Sequence, residues 1–271
     1  MASDSSVASI RAALRASGAI RETSAASYSR IAELYRSPAL SRTAAFVDAI
    51  SKSTREALRL IEAVRRMRVA IVGCGGIGSG AAFLLASMGI SELVLIDADR
   101  VELSNLNRQF LYTRKSIGKF KALELKRALY ERFEHTLISA VPTCYPSDAA
   151  KHALSRVSLA ICVGDSPPNL FAQLEKAMVS GQQLWSAGYL MGLSTVRRHG
   201  GSDRGKDVKW LTRQDYFAPS VGFQNMELAA SLVARIALCG HNRSKGRDRA
   251  WTTGDYRQLL KQSDAARRRP S

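Results

Sequence analysis

The sequence predicts an α/β protein: a mainly parallel sheet with helices on both faces, preceded by a small helical N-terminal region. Three observations carry this. A β-branched run, Val69 to Val72, stops at a glycine cluster, Gly73-Cys74-Gly75-Gly76-Ile77-Gly78, that opens a small-residue segment, Ser79 to Met88. Further short apolar runs recur downstream with helical patterns between them, as strand-helix alternation requires. Before Arg66 the apolar pattern is helical, as in Ile31, Leu34 and Tyr35 and in Leu58, Ile61 and Val64.

From the N-terminus, residues 1 to about 22 are Ser- and Ala-rich, with Ile10, Leu14 and Ile20 at loosely helical spacing, and read as a short helix or flexible arm. Thr23 to Arg66 is helical with one break at Ser37-Pro38. Ile31, Leu34 and Tyr35 precede the break; Phe46, Ala49 and Ile50, then Leu58, Ile61 and Val64, continue the apolar face. Residues 1–66 thus form a helical arm or cap, residues 67–240 the α/β domain, and residues 241–271 a basic tail.

The α/β domain begins as a βαβ unit, with Leu93 to Ile96 the second strand and Asp97-Ala98-Asp99 closing it. Glycines suit such a turn because a bare backbone bends tightly, approaches a phosphate and packs helix on sheet, while the helix N-terminus offers free N–H groups to an anion. Gly73, Gly75, Gly76 and Gly78, with Asp97 or Asp99 as the acidic strand end, therefore read as a Rossmann-like nucleotide site. Lys121 to Phe133 is the next helix, with Leu123, Leu125 and Leu129 on its apolar face, and Leu137 to Val141 the third strand. Ser147 to Arg156 is helical, Ser158 to Val163 is a fourth strand ending at Gly164-Asp165, and a helix runs from Pro167 to about Ser180. Gln183 to Tyr189 is a fifth strand, Leu193 to Arg197 is β-like, Gly200 to Asp207 is a polar glycine-rich loop, and Met226 to Leu238 is an apolar helix. Ligands in open α/β sheets bind beyond the carboxyl ends of the strands, so Asp97, Asp99 and Asp165 share one edge.

With 271 residues and 46% hydrophobic content, the chain can bury a sizeable core. No apolar run approaches the ~20 residues that span a bilayer, and the first residues lack a signal-peptide core, so a cytoplasmic protein without membrane contact is expected. Cysteines 74, 144, 162 and 239 form no CxxC pair, which predicts reduced thiols and no zinc. Net charge is +17, from 40 Lys and Arg against 23 Asp and Glu, which suits an acidic peptide, a nucleic acid or polyphosphate. Histidines 135, 152, 199 and 241 read as solvated.

The residues after Asp99 decide between nucleotide chemistries. Asn105-Leu106-Asn107-Arg108-Gln109 and Gly118-Lys119-Phe120-Lys121 set polar and cationic groups beside the expected ribose site, which hydride transfer with NAD does not need and a triphosphate does. From Arg68 to Tyr189 the chain resembles the ThiF and ubiquitin-activating (E1) superfamily, in GxGGxG, an acidic strand end, N-x-x-R-Q, G-x-x-K and a later Asp. Ser186-Ala187-Gly188-Tyr189, and Phe217-Ala218-Pro219-Ser220 before the apolar helix, look particularly like the enzymes that adenylate the microcin C precursor peptide.

This resemblance implies adenylation of a carboxyl group by ATP with Mg²⁺. Asp97 would bind the ribose hydroxyls; Asp99 and Gln109 would join the glycines around the nucleotide; Arg108 and Lys121 would hold phosphates; Asn105 would assist near the α-phosphate; Asp165 would hold Mg²⁺. It also implies a homodimer, with Arg30 in Tyr28-Ser29-Arg30 reaching the partner subunit's nucleotide and Tyr189 near the substrate. Each has a plainer alternative: a strand-end cap or a pair with Arg100 for Asp97 and Asp99, a helix cap for Asp165, surface cations for Arg30, Arg108 and Lys121. The chain departs from many relatives in lacking zinc cysteines, and from ubiquitin-type activators in lacking a cysteine between Trp210 and Asn225, so no thioester step is expected.

The leading expectation is an adenylyltransferase acting on a small ribosomally made precursor peptide of acidic character, in peptide antibiotic biosynthesis, with amide capture or dehydrative cyclisation after activation. Three alternatives stand beside it: an E1-like dehydratase that cyclises threonylcarbamoyladenosine in tRNA, a sulfur-carrier-protein adenylyltransferase, and a non-catalytic nucleotide-binding adapter.

Overall fold

The computed structural model describes residues 4–16, 23–190, 193–199, 220–239 and 249–255. The chain divides into two compact units, Met1–Arg65 and Arg66–Ser271.

The first unit is helical: α1 (Asp4–Ala16), α2 (Ala25–Arg36), α3 (Ser41–Ile50) and α4 (Thr54–Arg65). Ser24 caps α2 by accepting the Ser27 N–H at 3.2 Å. The helix stops at Arg36 because Pro38 pushes the residue before it out of helical geometry, and Ser37 is extended. A second break, not anticipated, separates α3 from α4. There Ser51 Oγ donates to the Val47 carbonyl, Glu56 accepts the Lys52 N–H at 2.7 Å and Ser53 accepts the Glu56 N–H, a Ser-x-x-Glu capping pattern. The break rotates the helix face. Ala44 and Val47 are buried with Ile31, Ala57, Leu58 and Ile61, whereas Phe46 and Ile50, expected inside, are exposed. Ile10 and Leu14 of α1 are exposed too.

The second unit is a seven-stranded sheet in the order β3-β2-β1-β4-β5-β6-β7. Its strands are β1 (Arg68–Val72), β2 (Glu92–Ile96), β3 (Leu137–Val141), β4 (Leu159–Cys162), β5 (Gln183–Leu190), β6 (Leu193–His199) and β7 (Arg249–Asp255). The first five are parallel; β6 and β7 are antiparallel additions. β7 corrects the reading of residues 241–271 as a tail. Its charged neighbours masked the short run Ala250-Trp251-Thr252-Thr253, whose aromatic and β-branched residues favour a strand.

Helices cover both faces, α7 (Asp148–Ser155) and α8 (Leu170–Ala177) on one, α5 (Gly76–Ser87), α6 (Lys121–Tyr130) and α9 (Gly222–Cys239) on the other. Alternation along the strands supplies both cores. Ala70, Val72, Val94, Ile96, Ala160 and Leu184 pack with Leu154, Leu170 and Leu174, while Ile71, Leu95, Ile161 and Trp185 point to the opposite side. On α6, Leu125 and Leu129 are buried as expected, but Leu123 is exposed because it lies off their stripe. No helix of the described residues is long and apolar enough to cross a membrane.

Chain order reverses between β1 and β4. From β1 the chain goes outward through β2 to β3, then returns to place β4 on the other side of β1. The crevice at the carboxyl ends of β1 and β4 is the topological switch point, where open α/β sheets bind ligands.

Candidate active site at the carboxyl edge of the sheet

The glycine turn closes β1 at this crevice. Gly73 has a φ of 99°, and a Cβ there would press into the backbone of Val163 and Gly164, so the turn after β1 and the turn after β4 lie in contact. Gly78 faces the carbonyl oxygen of Gly73 with no room for a side chain. These two glycines are packing requirements. Gly75 is different: a Cβ there would meet only Gln109 Nε2, at 3.8 Å, so the turn is open on that side. The first intrahelical bond of α5 runs from Ser79 N to Gly75 O at 2.9 Å, which leaves the N–H groups of Gly76, Ile77 and Gly78 without helical acceptors.

Asp97 is turned toward this loop rather than outward. Its Oδ2 accepts the Cys74 N–H at 2.6 Å and its Oδ1 the Asp99 N–H at 2.7 Å, so one carboxylate ties the end of β2 to the glycine turn. Burial pushes its pKa up, against the opposing pull of those two backbone donors and of Lys121. The strand-end cap weighed as the plainer alternative is present in the structure. Asp99, by contrast, is exposed and pairs through Oδ2 with Lys121 Nζ at 2.8 Å, while Lys121 itself is buried at the start of α6.

A residue the sequence reading missed joins these parts. Tyr112, buried, donates from Oη to the Cys74 carbonyl at 2.7 Å and lies 3.4 Å from the Lys121 carbonyl. Burial raises its pKa far above the ordinary phenol value, so it stays a neutral donor. It comes three residues after Gln109, the end of the N-x-x-R-Q segment, and its place beside Phe110 and Leu111 gave no signal.

The N-x-x-R-Q segment enters as a 3-10 turn, Leu103–Asn105, in which Asn105 Oδ1 accepts the Glu102 N–H at 3.1 Å. Asn105 is thus held by its own turn. Arg108 reaches back to the Ser104 carbonyl at 2.6 Å and to Asn107 Oδ1 at 3.1 Å, leaving a half-buried guanidinium with further donors. Gln109 is 4% exposed, and its Oε1 has no hydrogen-bond partner among the described residues. A buried carbonyl beside an open glycine turn is an unmet acceptor, and a nucleotide hydroxyl or amine would satisfy it.

Asp165, beyond Gly164 at the end of β4, is exposed and makes no hydrogen bond or ion pair with the described residues. No group of three or more His, Cys, Asp or Glu among the described residues could hold a metal by itself. Mg²⁺, however, is commonly held by one or two carboxylates together with substrate phosphates, and Asp165 fits that use.

On the other side of the glycine turn lies the start of α9, a helix expected from Met226 but not at this site. Asn225 is 1% exposed and its amide lies against Gly76 with no room for a Cβ between. Asn225 Nδ2 donates to Ser220 Oγ at 3.2 Å, and Tyr189 Oη, from the end of β5, donates to the same oxygen. A Cβ at Gly222 would run into the Phe110 ring and lie 3.4 Å from the Asn107 carbonyl, so both cover this glycine. Two polar residues ahead of an apolar helix, Gln224-Asn225, were the available signal. Phe217 to Pro219, the loop from Gly200 to Asp207 and residues 241–248 lie outside the described residues.

His199, expected to be solvated, is half-buried; its Nε2 lies 2.9 Å from Ser186 Oγ and its ring against Phe171. In the helical unit Arg30 pairs with Glu62. A groove of about 480 Å³ lined by Leu123, Lys126, Arg127 and Tyr130 lies on the outer side of α6 and contains none of these site residues.

The ThiF family matches residues 42–199. Among curated proteins the chain is 32% identical over 133 residues to an adenylyltransferase and sulfurtransferase, UBA4, of Candida albicans, covering 47% of this chain and 30% of that one. It is 31% identical over 123 residues to a sulfur carrier protein adenylyltransferase of Thermus thermophilus, covering 45% of each. The matches thus span less than half the length of these relatives. Among solved structures, E. coli MccB with ATP superposes with a TM-score of 0.67 at 21% identity, covering 81% of this chain and 72% of that one, a likeness of fold.

Proposed function

The chain belongs to the ThiF family, and from that premise we propose that it is an ATP-dependent adenylyltransferase that activates a carboxyl group of a small ribosomally made peptide. The observation that carries the nucleotide reading is the Gln109 carbonyl, unmet among the described residues beside the open glycine turn, with N–H groups on α5 that lack helical acceptors and an exposed Asp165 across the same crevice. The peptide reading draws on the fold shared with E. coli MccB, solved with the peptide MccA, and on a net charge of +17 that attracts an acidic chain.

In this reaction a carboxylate oxygen of the peptide attacks the α-phosphorus of ATP. An acyl–phosphate bond forms, the bond to the bridging oxygen breaks, and pyrophosphate leaves with the electron pair; no proton has to move. Two anions must meet, so the protein's contribution is position and charge. The α5 N–H groups, Arg108 and Lys121 hold phosphates, Asn105 stands near the α-phosphate, and Asp97 and Asp99 frame the ribose side. Asp97 does so with both oxygens already engaged by backbone, so it shapes the turn as much as it touches the sugar. Mg²⁺ held by Asp165 would neutralise the departing pyrophosphate. Tyr189 lines the approach of the peptide, residues 1–66 act as a peptide clamp or dimer arm, and in a homodimer Arg30 would leave Glu62 for the partner subunit's nucleotide.

A second reading, adenylation of a small sulfur carrier protein, is favoured by the 31% identity to the T. thermophilus enzyme. ATP–pyrophosphate exchange with Mg²⁺ decides, using an acidic precursor-type peptide, a sulfur carrier protein with a free C-terminus, and tRNA as separate substrates. Exchange with the peptide, lost in Asp165→Ala, supports the first reading. Exchange with the carrier protein alone selects the second, exchange with tRNA alone the dehydratase, and no exchange despite ATP binding an adapter.

A further inference from the structure

We propose that Ser220 is a phosphate-binding residue whose hydroxyl proton donates to a non-bridging phosphate oxygen of the nucleotide at the first turn of α5. The inference rests on the nucleotide reading above.

Hydrogen-bond capacity is the ground for it. A serine hydroxyl accepts two hydrogen bonds and donates one. Ser220 Oγ receives Tyr189 Oη–H and Asn225 Nδ2–H, so its acceptor capacity is filled. Its own proton has no acceptor among the described residues. A half-buried O–H held by two donors, with its proton unspent among the described residues, is available to a bound anion.

The surroundings say what that is. Asn225, one hydrogen bond away, lies against Gly76, and the N–H groups of Gly76, Ile77 and Gly78 are without helical acceptors. The positive end of α5 favours an anion there. Gln109 supplies an independent pointer from the other side of the turn: its buried Oε1 lacks a donor among the described residues. One group wants a donor and the other an acceptor, and a nucleotide offers both, in its hydroxyls or amine and in its phosphates. Two donors converging on Ser220 Oγ also strengthen its O–H as a donor, because hydrogen bonds in a chain polarise one another. The chain Tyr189–Ser220–Asn225 thereby joins the end of β5 to the glycine turn, and the hydroxyl contacts the phosphate directly.

The test is calorimetric titration of the full chain with ATP and, separately, with adenosine, for wild type, Ser220→Ala and Ser220→Thr. In Ser220→Ala, ATP affinity is expected to fall roughly tenfold to a hundredfold, the loss of a hydrogen bond to a charged group. Adenosine affinity should stay unchanged, and Ser220→Thr, which keeps the hydroxyl, should restore ATP binding to within about threefold. Equal losses for ATP and adenosine would assign Ser220 a purely structural role and overturn the inference. ATP binding that survives Ser220→Ala intact would overturn it as well, leaving the nucleotide reading standing. A wild-type protein that binds neither ligand overturns both.

Discussion

The carboxylate of Asp97 and the backbone N–H of Cys74 lie 2.6 Å apart, so the acid at the end of β2 holds the glycine turn at the end of β1. Because its second oxygen accepts the Asp99 N–H, Asp97 fixes two turns with one side chain. Asp97→Asn can supply only one acceptor oxygen, and one partly buried N–H is left unpaired. The expected loss is about 1–3 kcal/mol of unfolding free energy at neutral pH, measured by urea denaturation, with ATP binding weakened in parallel.

Asp97 also carries a pH signature. Burial raises its native pKa above the unfolded value, so between those two pKa values the native state binds more protons than the unfolded one. The proton-linked part of its contribution to stability is fully present below the unfolded pKa, near the ordinary carboxylate value, and is lost as pH rises through the raised native pKa, whereas its hydrogen bonds to the Cys74 and Asp99 N–H groups remain. Unfolding free energy measured from acid to neutral pH should therefore change with a more positive slope in Asp97→Asn than in wild type.

Lys121 and Asp99 separate stability from activity. Their 2.8 Å pair joins a buried lysine to an aspartate whose side chain is 65% exposed, and water screens such a pair to about 0–1 kcal/mol. Lys121→Met keeps the buried stem and removes the charge. Its melting temperature should barely move, while ATP–pyrophosphate exchange, tested on the substrate that supports it in wild type, should fall at least roughly tenfold.

Tyr112→Phe deletes the donor to the Cys74 carbonyl and leaves the ring in place. Stability should fall by about 1 kcal/mol in chemical denaturation, since the orphaned carbonyl is buried with the turn. Affinity for ATP should weaken more than affinity for adenosine, because the turn it holds is the phosphate side.

Thiol chemistry is silent at two cysteines. Burial pushes the Cys162 thiol up to about 12 and raises that of Cys74 as well, with Asp97 adding to the latter. In a Cys239→Ser background, Ellman's reagent should modify exposed Cys144 promptly and reach Cys74 and Cys162 only on unfolding. Prompt reaction of either buried thiol would contradict the close packing at the ends of β1 and β4.

The strands β1 to β5 and the helices between them were legible because each is a short, strongly patterned run bounded by glycine, proline or polar residues, and local pattern needs no partner to be read. The glycine turn was legible for the same reason: tight backbone approach leaves a compositional mark. Less was visible where burial depends on which neighbour arrives. Phe46 and Leu123 carry apolar side chains and face outward, while Asn225 is polar and buried, because α3, α6 and α9 each present only one stripe to their unit's interior; Gln109 is buried in the loop that follows the Leu103–Asn105 turn.

Local pattern was enough to specify an α/β sheet entered through a glycine turn, the order of its first five strands along the chain, and the set of polar residues that its carboxyl edge displays. Which partners those residues find there was decided by tertiary packing. It turned Asp97 onto backbone, paired Asp99 with Lys121, left Asp165 and the Gln109 carbonyl without partners among the described residues, and brought Tyr112, Ser220 and Asn225 to the turn. Hydrogen bonds are satisfied in space, not along the chain. A donor finds its acceptor across 38 residues, as Tyr112 does at Cys74, and no local pattern records that distance.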